Sequence, residues 1–449
     1  MGRRVLLAAV ALSVSCGSRT PLLPGGPGGG PGGSGGSGGG ATPQAVVCNA
    51  ALLDGAPTPT RGYCTTRANQ AALSGPHAPT IAWSVTPFPI LSPEDYLPAE
   101  TVVDATGRAY VAINVSPMAP VGSQNQLLAV NADGSVAWTS AFDSSVTQLS
   151  LGRDGRLWFV QQTPLGSCLN APPCAPSFLT ALSPAGNNVA TVTPIQTPAM
   201  PSFSLMAIAS DGSFFVGSPG LARMTTDGTT LWQTYAQFGA AILVGPDDGV
   251  VATGGGETMA YDSAGGQIWS GGSATLAAIN AQGNVVTLSV LEGQPPSLVT
   301  LGAGGMPLEA VTLGSPQFTI DAFQLAVAGD GTAIVLLADE ATAPGLTKAQ
   351  MQIIAVEASG KTRWTTPLDV TLPYDPANLT THYGVFVDGA GTVVVTAGSV
   401  MGLDLASGSL LWTLQPAKPE SCLRPAVLGA GGSIIATQCD GTVFLAGDP

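Results

Sequence analysis

Two kinds of short hairpin alternate along this chain between Gly107 and Gly432, and this alternation constrains the fold more than any other feature of the sequence. In the first kind, a glycine precedes a tryptophan by four residues, and this spacing occurs five times. Two more copies keep the glycine but replace the tryptophan, so the unit is degraded there and not absent. The complete copies are Gly134 with Trp138, Gly228 with Trp232, Gly265 with Trp269, Gly360 with Trp364 and Gly408 with Trp412; the degraded copies are Gly186 with Ala190 and Gly304 with Leu308.

The second kind of hairpin has a glycine at its turn and apolar residues on both sides, which is strand patterning with turn punctuation. Glycine suits such turns because it adopts positive φ without a steric cost. Two hairpins per unit predict a four-stranded antiparallel sheet, and the distance between successive turns is close to the period of a propeller blade. Eight blades are predicted from the turns at Gly107, Gly155, Gly212, Gly249, Gly283, Gly331, Gly391 and Gly432.

The two ends of the repeat region complete each other. The last unit, from Gly432 to Pro449, has no tryptophan strand of its own, and Thr80 to Trp83 is a tryptophan strand with no hairpin before it. Pairing the two would complete the eighth sheet and remove its open edge. The sequence therefore predicts an all-β, eight-bladed β-propeller over residues 79–449, closed by pairing an N-terminal strand with the last blade.

The stretches Leu128 to Trp138 and Met259 to Trp269 resemble the repeat of quinoprotein-type (PQQ-like) β-propellers, in which Ala-x-Asp is followed by a glycine turn and a tryptophan. The resemblance covers about residues 80–449. It implies eight blades and tryptophans that pack between neighbouring blades, which we favour over a role in stacking on a ligand.

The resemblance implies the propeller scaffold of the family but not its quinone site. Enzymes of the family need a catalytic Asp, Glu and Asn ligands for calcium, an Arg near the cofactor and an adjacent cysteine pair. No two cysteines are adjacent in this sequence, and none of the other residues can be matched position by position. We therefore expect no cofactor, metal or catalytic residue. Relatives without enzymatic activity include the propeller lipoprotein of the outer-membrane protein assembly machinery, although function does not follow from fold alone.

Residues 1–16 have the pattern of an export signal, with Arg3 and Arg4 before a short apolar core. Leu12 to Cys16 is similar to a bacterial lipoprotein cleavage box, which predicts acylation of Cys16, although Ser13 stands where Leu is usual and ordinary signal cleavage is the alternative. Gly17 resembles the residue that sends such lipoproteins to the outer membrane, facing the periplasm or the cell surface. Residues 17–43 are almost entirely Gly, Pro and Ser, which predicts a flexible tether.

Six cysteines remain besides Cys16, and export makes disulfides their expected state. None has the C-x-x-C spacing of a zinc site or a redox centre. Residues 44–78 are therefore expected to form a short, disulfide-stapled lead-in to the propeller. Sequence neighbourhood predicts the pairs Cys48 with Cys64, Cys168 with Cys174 and Cys422 with Cys439.

Composition restricts the partners. Charged residues make up 9% of the chain, and the formal net charge is −14 at pH 7. Such a chain should repel nucleic acid and anionic lipid headgroups, which both need basic surface. A protein or carbohydrate ligand remains feasible, with membrane contact only through an N-terminal lipid.

The connections between hairpins should lie on one face of the ring, opposite the glycine turns. Several are long, and long loops on one rigid face are a usual place for binding, although such loops can also merely tolerate insertion. Asp339, Glu340, Tyr374, Asp375 and His382 are the residues that we expect to line this face. The long connections are 113–126, 164–177, 288–297, 339–350, 367–382 and 415–424.

Residues suited to catalysis are few. The only histidines are His77 and His382, and the acidic turns at Asp133 and Asp247 lack the spacing of a calcium loop. The sequence therefore favours a lipid-anchored, non-catalytic binding or scaffold propeller. The alternative is an exported enzyme, either a degenerate quinone-dependent oxidoreductase or a lyase or hydrolase acting on polysaccharide.

Overall fold

The computed structural model contains eight four-stranded antiparallel sheets, so the predicted eight-bladed propeller is confirmed. We call the first strand of each sheet the inner strand and the fourth the outer strand. The inner strands of successive blades contact one another, as β2 contacts β6 and β22 contacts β26, and they therefore surround a central channel. The structure describes residues 56–58, 60, 68–87, 100–115, 124–162, 177–192, 205–217, 220–234, 241–254, 256–272, 274–291, 294–314, 322–343, 346–373, 383–417 and 422–449.

Blades 1 to 4 follow one another along the chain, each with its strands in sequence order. Blade 1 comprises β2 (Glu100–Val103), β3 (Ala109–Ile113), β4 (Asn125–Val130) and β5 (Val136–Phe142); blade 2 comprises β6 (Ser145–Leu151), β7 (Leu157–Gln162), β8 (Phe178–Leu182) and β9 (Asn188–Val192); blade 3 comprises β10 (Leu205–Ile208), β11 (Phe214–Gly217), β12 (Leu221–Met224) and β13 (Thr230–Thr234); blade 4 comprises β14 (Ala241–Val244), β15 (Val250–Gly254), β16 (Glu257–Tyr261) and β17 (Gln267–Gly271).

Blades 5 to 7 continue the same order, and blade 8 takes its outer strand from the beginning of the propeller. Blade 5 comprises β18 (Leu276–Ile279), β19 (Val285–Ser289), β20 (Ser297–Leu301) and β21 (Pro307–Thr312); blade 6 comprises β22 (Ala322–Val327), β23 (Ala333–Ala343), β24 (Leu346–Val356) and β25 (Thr362–Pro373); blade 7 comprises β26 (Gly384–Val387), β27 (Thr392–Ala397), β28 (Ser399–Asp404) and β29 (Leu410–Leu414); blade 8 comprises β30 (Val427–Leu428), a short 3-10 helix (Ala430–Gly432), β31 (Ile434–Thr437), β32 (Val443–Gly447) and β1 (Thr80–Val85).

Ring closure follows the predicted pairing. β1 pairs antiparallel with β32, from Thr80 opposite Gly447 to Val85 opposite Val443. The last blade is thus completed by residues that precede the first blade in the chain, and its sheet does not end in an open edge at β32.

Two of the predicted turn positions need correction. In blade 5 the left-handed residue is Gly305, with φ of 70°, and not Gly304. Glu309 and not Leu308 therefore lies opposite Thr300, in the register position that Trp138 has opposite Ala129 in blade 1. In blade 4 the left-handed residue of the first turn is Asp248, with φ of 59°, although the turn had been assigned to Gly249. Aspartate tolerates this conformation better than most side chains, so the turn forms with the glycine one position later.

The tryptophans of the outer strands pack between blades, as expected. A Cβ placed on the turn glycine Gly134 would lie 2.9 Å from the Trp83 ring of the preceding blade, and one on Gly408 would lie 2.6 Å from the Trp364 ring. In four of these tryptophans the indole N–H also donates to a carbonyl of the same turn, whereas Trp269 Nε1 is buried without a partner among the described residues. These hydrogen bonds are Trp83 to Ala132 O (2.8 Å), Trp138 to Pro184 O (2.9 Å), Trp232 to Ser263 O (3.0 Å) and Trp364 to Leu405 O (2.7 Å).

Trp412 is the exception, because blade 8 has no turn between its third and outer strands. The Trp412 ring lies instead over Gly402 of its own blade, where an added Cβ would be 2.2 Å from the indole. Between blades, the buried side chains form apolar clusters that each join neighbouring sheets, such as the cluster of Ile334, Tyr383 and Val395. No helix in the described part of the chain is long and apolar enough to cross a membrane.

Candidate functional site

The ring has two unlike faces. One carries the turns after each inner strand and before each outer strand, and we call it the turn face. The remaining connections lie on the opposite side, which we call the loop face. Turns on the turn face are short and close on themselves through backbone bonds, as in Gly134 N to Asn131 O at 2.9 Å. Any binding surface built from long segments therefore lies on the loop face.

The described residues between 56 and 77, which we call the lead-in, lie against the inner strands. Thr58 and Thr60 contact blades 8, 1 and 2, and residues 68–75 contact blades 6, 7 and 8. Thr58, Ala68, Gln70 and Ala71 are each at most 4% exposed. The polar contacts include Thr58 Oγ1 to Leu428 O (2.6 Å), Val103 N to Thr58 O (2.8 Å), Thr60 Oγ1 with Ser150 Oγ (2.8 Å), Val327 N to Ala68 O (2.7 Å), Asn69 Nδ2 to Leu325 O (2.6 Å), Val387 N to Asn69 O (2.9 Å), Ala71 N to Val387 O (2.8 Å) and Gly389 N to Leu73 O (2.8 Å).

These contacts lie at the turn-face end of the channel. Val103, Val327 and Val387 are the last residues of their inner strands, directly before the turns. The carboxylate of Asp388, in the turn of blade 7, accepts a hydrogen bond from Gly75 N at 2.6 Å. The turn-face end of the channel is thus occupied by the chain itself. Sequence analysis gave no sign of this, because residues 68–75 have neither strand alternation nor a motif.

The loop face is uneven, and its largest described feature is on blade 6. Among the described residues, the pairing of β22 with β23 reaches Ala322 opposite Ala338, whereas β23 and β24 stay paired as far as Ala343 opposite Leu346. β25 accompanies them to Pro373. Five residues of β23 thus extend past the last β22 pair, which is about 17 Å at the usual strand rise. We call residues 339–343, 346–350 and 369–373 the blade 6 extension.

The blade 6 extension corrects two predicted loops. The connections 339–350 and 367–382 are predicted to be irregular, but residues 339–343, 346–350 and 367–373 form paired strands. Asp339 lies opposite Gln350 and Glu340 opposite Ala349, so two of the five residues expected on the loop face belong to the extension. Tyr374, Asp375 and His382 lie outside the described residues. No group of three or more His, Cys, Asp or Glu side chains that could hold a metal ion occurs among the residues described.

The predicted disulfide between Cys422 and Cys439 is present, with a Cα–Cα distance of 5.2 Å. It joins the connection that leads into blade 8 to the turn between β31 and β32, both on the loop face. The neighbouring Arg424 is 1% exposed, and its backbone N–H donates to Thr437 O at 2.8 Å. This part of the loop face is therefore held firmly in the ring. The pairs Cys48 with Cys64 and Cys168 with Cys174 lie outside the described residues, as does Cys16.

A buried asparagine, which the sequence analysis missed, links blades 1 and 2 on the loop face. Asn114 follows β3, is 3% exposed and pairs with β6 as a peptide group would. Its Nδ2 donates to Val146 O at 2.8 Å, and its Oδ1 accepts from Val146 N at 2.7 Å. The only signal in the sequence is an amide residue directly after an apolar strand, which is common at loop starts.

Arg223 links blades 3 and 4 on the turn face, and it was also missed. Its side chain is 9% exposed and lies over the Phe215 ring. The guanidinium donates to Ser263 O at 2.7 Å, the same carbonyl that accepts from the Trp232 indole, and to the Asp211 carboxylate at 3.1 Å. Arg223 is thus fully used in holding two blades together.

Several titratable groups on the turn face have shifted pKa values, and Asp211 and Tyr110 are two that lie in the sheets or against them. Burial opposes ionisation of Asp211, but hydrogen bonds from Ser213 and the Arg223 guanidinium outweigh it and lower the pKa of Asp211. Burial, together with the charge of Asp104, raises the pKa of Tyr110 to about 12. At neutral pH the first group stays ionised and the second protonated, so neither is suited to proton transfer.

In the two acidic turns considered for calcium, the aspartate carboxylates accept hydrogen bonds from residues of their own turns. Asp133 Oδ1 accepts from Ser135 N and Oγ, at 2.9 and 2.6 Å. Asp247 Oδ1 accepts from Gly249 N at 3.1 Å. Carboxylates bonded in this way are ordinary turn residues.

Residues 320–448 match a protein-family model described as outer membrane protein assembly factor BamB. The match covers blades 6 to 8, including the blade 6 extension. The prediction of a PQQ-like propeller repeat is confirmed. No curated protein matches the sequence.

Several solved propellers are similar in structure at low sequence identity. BamB from Moraxella catarrhalis is 16% identical with a TM-score of 0.48, and the alignment covers 83% of this chain and 98% of that one. A streptogramin B lyase is 12% identical with a TM-score of 0.42, covering 79% of this chain and 95% of that one. The WD40 propeller domain of Doa1 is 12% identical with a TM-score of 0.40, covering 83% and 97%.

Proposed function

We propose that this chain is a non-catalytic binding or scaffold protein of the bacterial cell envelope, and that it binds a partner protein through its loop face. The observation that carries the proposal is the contrast between the two ends of the channel. Residues of the lead-in fill the turn-face end, whereas the blade 6 extension projects from the loop face. Residues 320–448, which include the blade 6 extension, match the BamB family model, and this match supports a binding role for the same part of the ring.

The blade 6 extension has the features of a protein-binding element. Its strands are continuous with a sheet whose inner half is fully buried, from Ile334 to Ala338, so the base is rigid. Leu368, just below the extension, packs against the apolar cluster shared with blade 7. A rigid element that projects from a ring can present its backbone and side chains to a partner with little loss of conformational entropy. We favour a protein over a carbohydrate for this reason.

Attachment to the envelope is the second part of the proposal. An acyl chain on Cys16 would anchor the protein, and residues 17–43 would give the ring freedom to move above the membrane surface. The outer membrane is the location proposed, in accord with Gly17 after the cysteine and with the family description of residues 320–448. Replacing Cys16 by Ser should release the protein from washed membranes, and membrane retention of Cys16→Ser would contradict the anchor.

Site-specific photo-crosslinking in intact cells tests the binding face. A photoreactive amino acid is placed at Gln350, which is exposed at the base of the blade 6 extension, and for comparison at Met306, which is 70% exposed on the turn face. We expect one recurrent protein adduct from Gln350 and none of that mass from Met306. Mass spectrometry of the adduct identifies the partner.

Both positions are exposed, and both lie outside the buried core. The same adduct from both sites would argue against a specific loop face. No adduct from Gln350, in cells where the protein is folded and abundant, would contradict the proposed function.

A further inference from the structure

The lead-in is held in the ring mainly by backbone groups. The carbonyls of Ala68, Asn69 and Leu73 accept hydrogen bonds from inner-strand residues or the turns that follow them, and Ala71 N donates to one. The described lead-in residues nevertheless belong to none of the eight sheets. They contact the ring as a bound peptide contacts its receptor, through isolated bridges at Thr58, Thr60 and Gln70, with a left-handed residue at Asn69 (φ of 50°).

The site around residues 68–75 is fitted to small side chains at Ala68 and Ala71, and it also encloses the larger Gln70. A Cβ added to Gly389 would lie 2.5 Å from Ala72 O, and one added to Gly432 would lie 2.3 Å from Ser74 O, so the ring approaches the lead-in backbone directly. Ala68 and Ala71 are each 1% exposed. Larger residues at these two positions would not fit without movement of the inner strands.

One polar group of the lead-in itself lacks a hydrogen-bond partner in the described part of the channel. The Gln70 side chain is 4% exposed, and its Oε1 is buried without a hydrogen-bond partner among the described residues. A buried acceptor in this state costs free energy. The lead-in is thus a good but imperfect occupant of the channel, which is a property expected of a segment that can be replaced.

We propose that the turn-face end of the channel is a binding site for uncharged peptide segments with small side chains at the positions of Ala68 and Ala71, and that residues 68–75 are its resident occupant in the same chain. The lead-in then acts as an autoinhibitory plug, and an external segment binds only when the plug leaves. Most of the recognition is through the backbone, which Gly389 and Gly432 approach closely, and the burial of Ala68 and Ala71 restricts those two positions to small residues. The site is on the face opposite to the proposed partner surface, so the two proposals fail independently.

Opening the site by substitution provides the test. Ala71→Glu places a charge at a buried position of the lead-in and should expel it, whereas Ala72→Glu alters an exposed neighbour and should not. The probe is a fluorescent synthetic peptide of residues 67–77, added to the full-length protein and followed by anisotropy. Since apparent affinity falls with the fraction of open sites, Ala71→Glu should bind the peptide at least tenfold more tightly than the wild type. Ala72→Glu should match the wild type.

A second substitution checks that the peptide occupies this site. Gly389→Ala, added to Ala71→Glu, should abolish the gain, because its Cβ would meet the peptide backbone as it would meet Ala72 O. Gly272→Ala is the matched control, since an added Cβ there meets nothing within 4 Å. A folded Ala71→Glu protein that gains no affinity for the peptide overturns the proposal.

Amide hydrogen exchange of the wild type tests release of the lead-in without any substitution, and it applies even if Ala71→Glu does not fold. The amides of Val327, Val387 and Gly389 donate to lead-in carbonyls. They should exchange together and at least tenfold faster than the amide of Val335 in the sheet interior, because plug release is a local opening. Exchange of all four only through global unfolding would show that the lead-in is an integral part of the ring and would overturn the proposal.

Discussion

The indole of an outer-strand tryptophan and the turn glycine of the following blade form a matched pair. Trp364 shows why both are needed: the ring covers the space that a Cβ on Gly408 would fill, and its N–H reaches Leu405 O at 2.7 Å. A large aromatic body with one polar group suits a position that is apolar on one side and next to a carbonyl on the other. Blade 5 lacks this pair because Glu309 has the tryptophan's register position.

Restoring the pair in blade 5 should stabilise the ring. In Glu309→Trp, the new indole would lie over the Gly360 turn, where Glu309 Oε2 now lies 3.2 Å from the Cβ position. Its N–H would be directed at Ala358 O, the carbonyl that corresponds to Ser263 O in blade 4. We expect a gain of about 1 kcal/mol from added apolar burial, which raises Tm by about 1 °C in a ring of roughly 370 residues. Thermal unfolding measures it.

The matched control is the neighbouring position that the sequence pattern had indicated. Leu308→Trp adds the same indole to a residue that is already 55% exposed, and it should leave Tm unchanged or lower it. A larger gain from Leu308→Trp than from Glu309→Trp would contradict the register assigned to blade 5. The one-residue error arose because Gly304 and Gly305 are adjacent, and only backbone φ distinguishes the turn residue from its neighbour.

At the scale of elements, hairpins with regular turn spacing were predictable and the blade 6 extension was not. Tight glycine turns between apolar strands have a strong local signature, so all eight blades and the closing strand β1 could be found from sequence. Residues 339–343 carry two acidic residues and no apolar alternation, and Pro367 and Pro373 interrupt the pattern of β25. Such strands form because the sheet below them sets their direction and register, which is a tertiary effect.

Because the blade 6 extension lies beyond the ring, its removal should affect binding and not stability. Residues 340–349 can be replaced by Asn-Gly, which forms a two-residue hairpin turn between the opposed residues Asp339 and Gln350. We expect the free energy of unfolding to stay within about 1 kcal/mol of the wild type, since the deleted pairs are outside the core. The protein adduct formed from Gln350 in cells should be lost. Loss of folding, or an unchanged adduct, would show that the extension has a different role.

At the scale of the whole molecule, residues before the first blade have two roles in the ring. Residues 68–75 fill the turn-face end of the channel, and β1 completes blade 8. Only the second role could be predicted, because Trp83 carries the repeat signature. The lead-in has no periodicity that an isolated sequence reveals, and its place depends on inner-strand and turn contacts made far along the chain.

Ring closure should depend on the ionisation of Asp448. The backbone N–H groups of Ala78 and His77 donate to its carboxylate at 2.7 and 2.9 Å, directly before β1, and these hydrogen bonds lower the pKa of Asp448. A carboxyl group whose pKa is lower in the folded state stabilises that state fully above its unfolded pKa, about 3.9, and loses this contribution as pH falls through the folded value. Asp448→Asn lacks the contribution at every pH. We therefore expect the wild type to exceed Asp448→Asn in unfolding free energy by a constant amount from pH 5 to 8, and the difference to shrink below about pH 4.

A local measurement separates closure from general acid sensitivity. At pH 7, the amides of β1 should exchange faster in Asp448→Asn than in the wild type, because fewer bonds hold the strand to the last blade. Asp227→Asn is the control: Asp227 is also exposed with a lowered pKa, caused first by its hydrogen bond from Thr225, but it serves a turn in blade 3. That variant should lose some stability near pH 7 and leave β1 exchange unchanged. Equal β1 exchange in wild type and Asp448→Asn would mean that strand pairing with β32 alone closes the ring, with no contribution from the C-terminal carboxylate side chain.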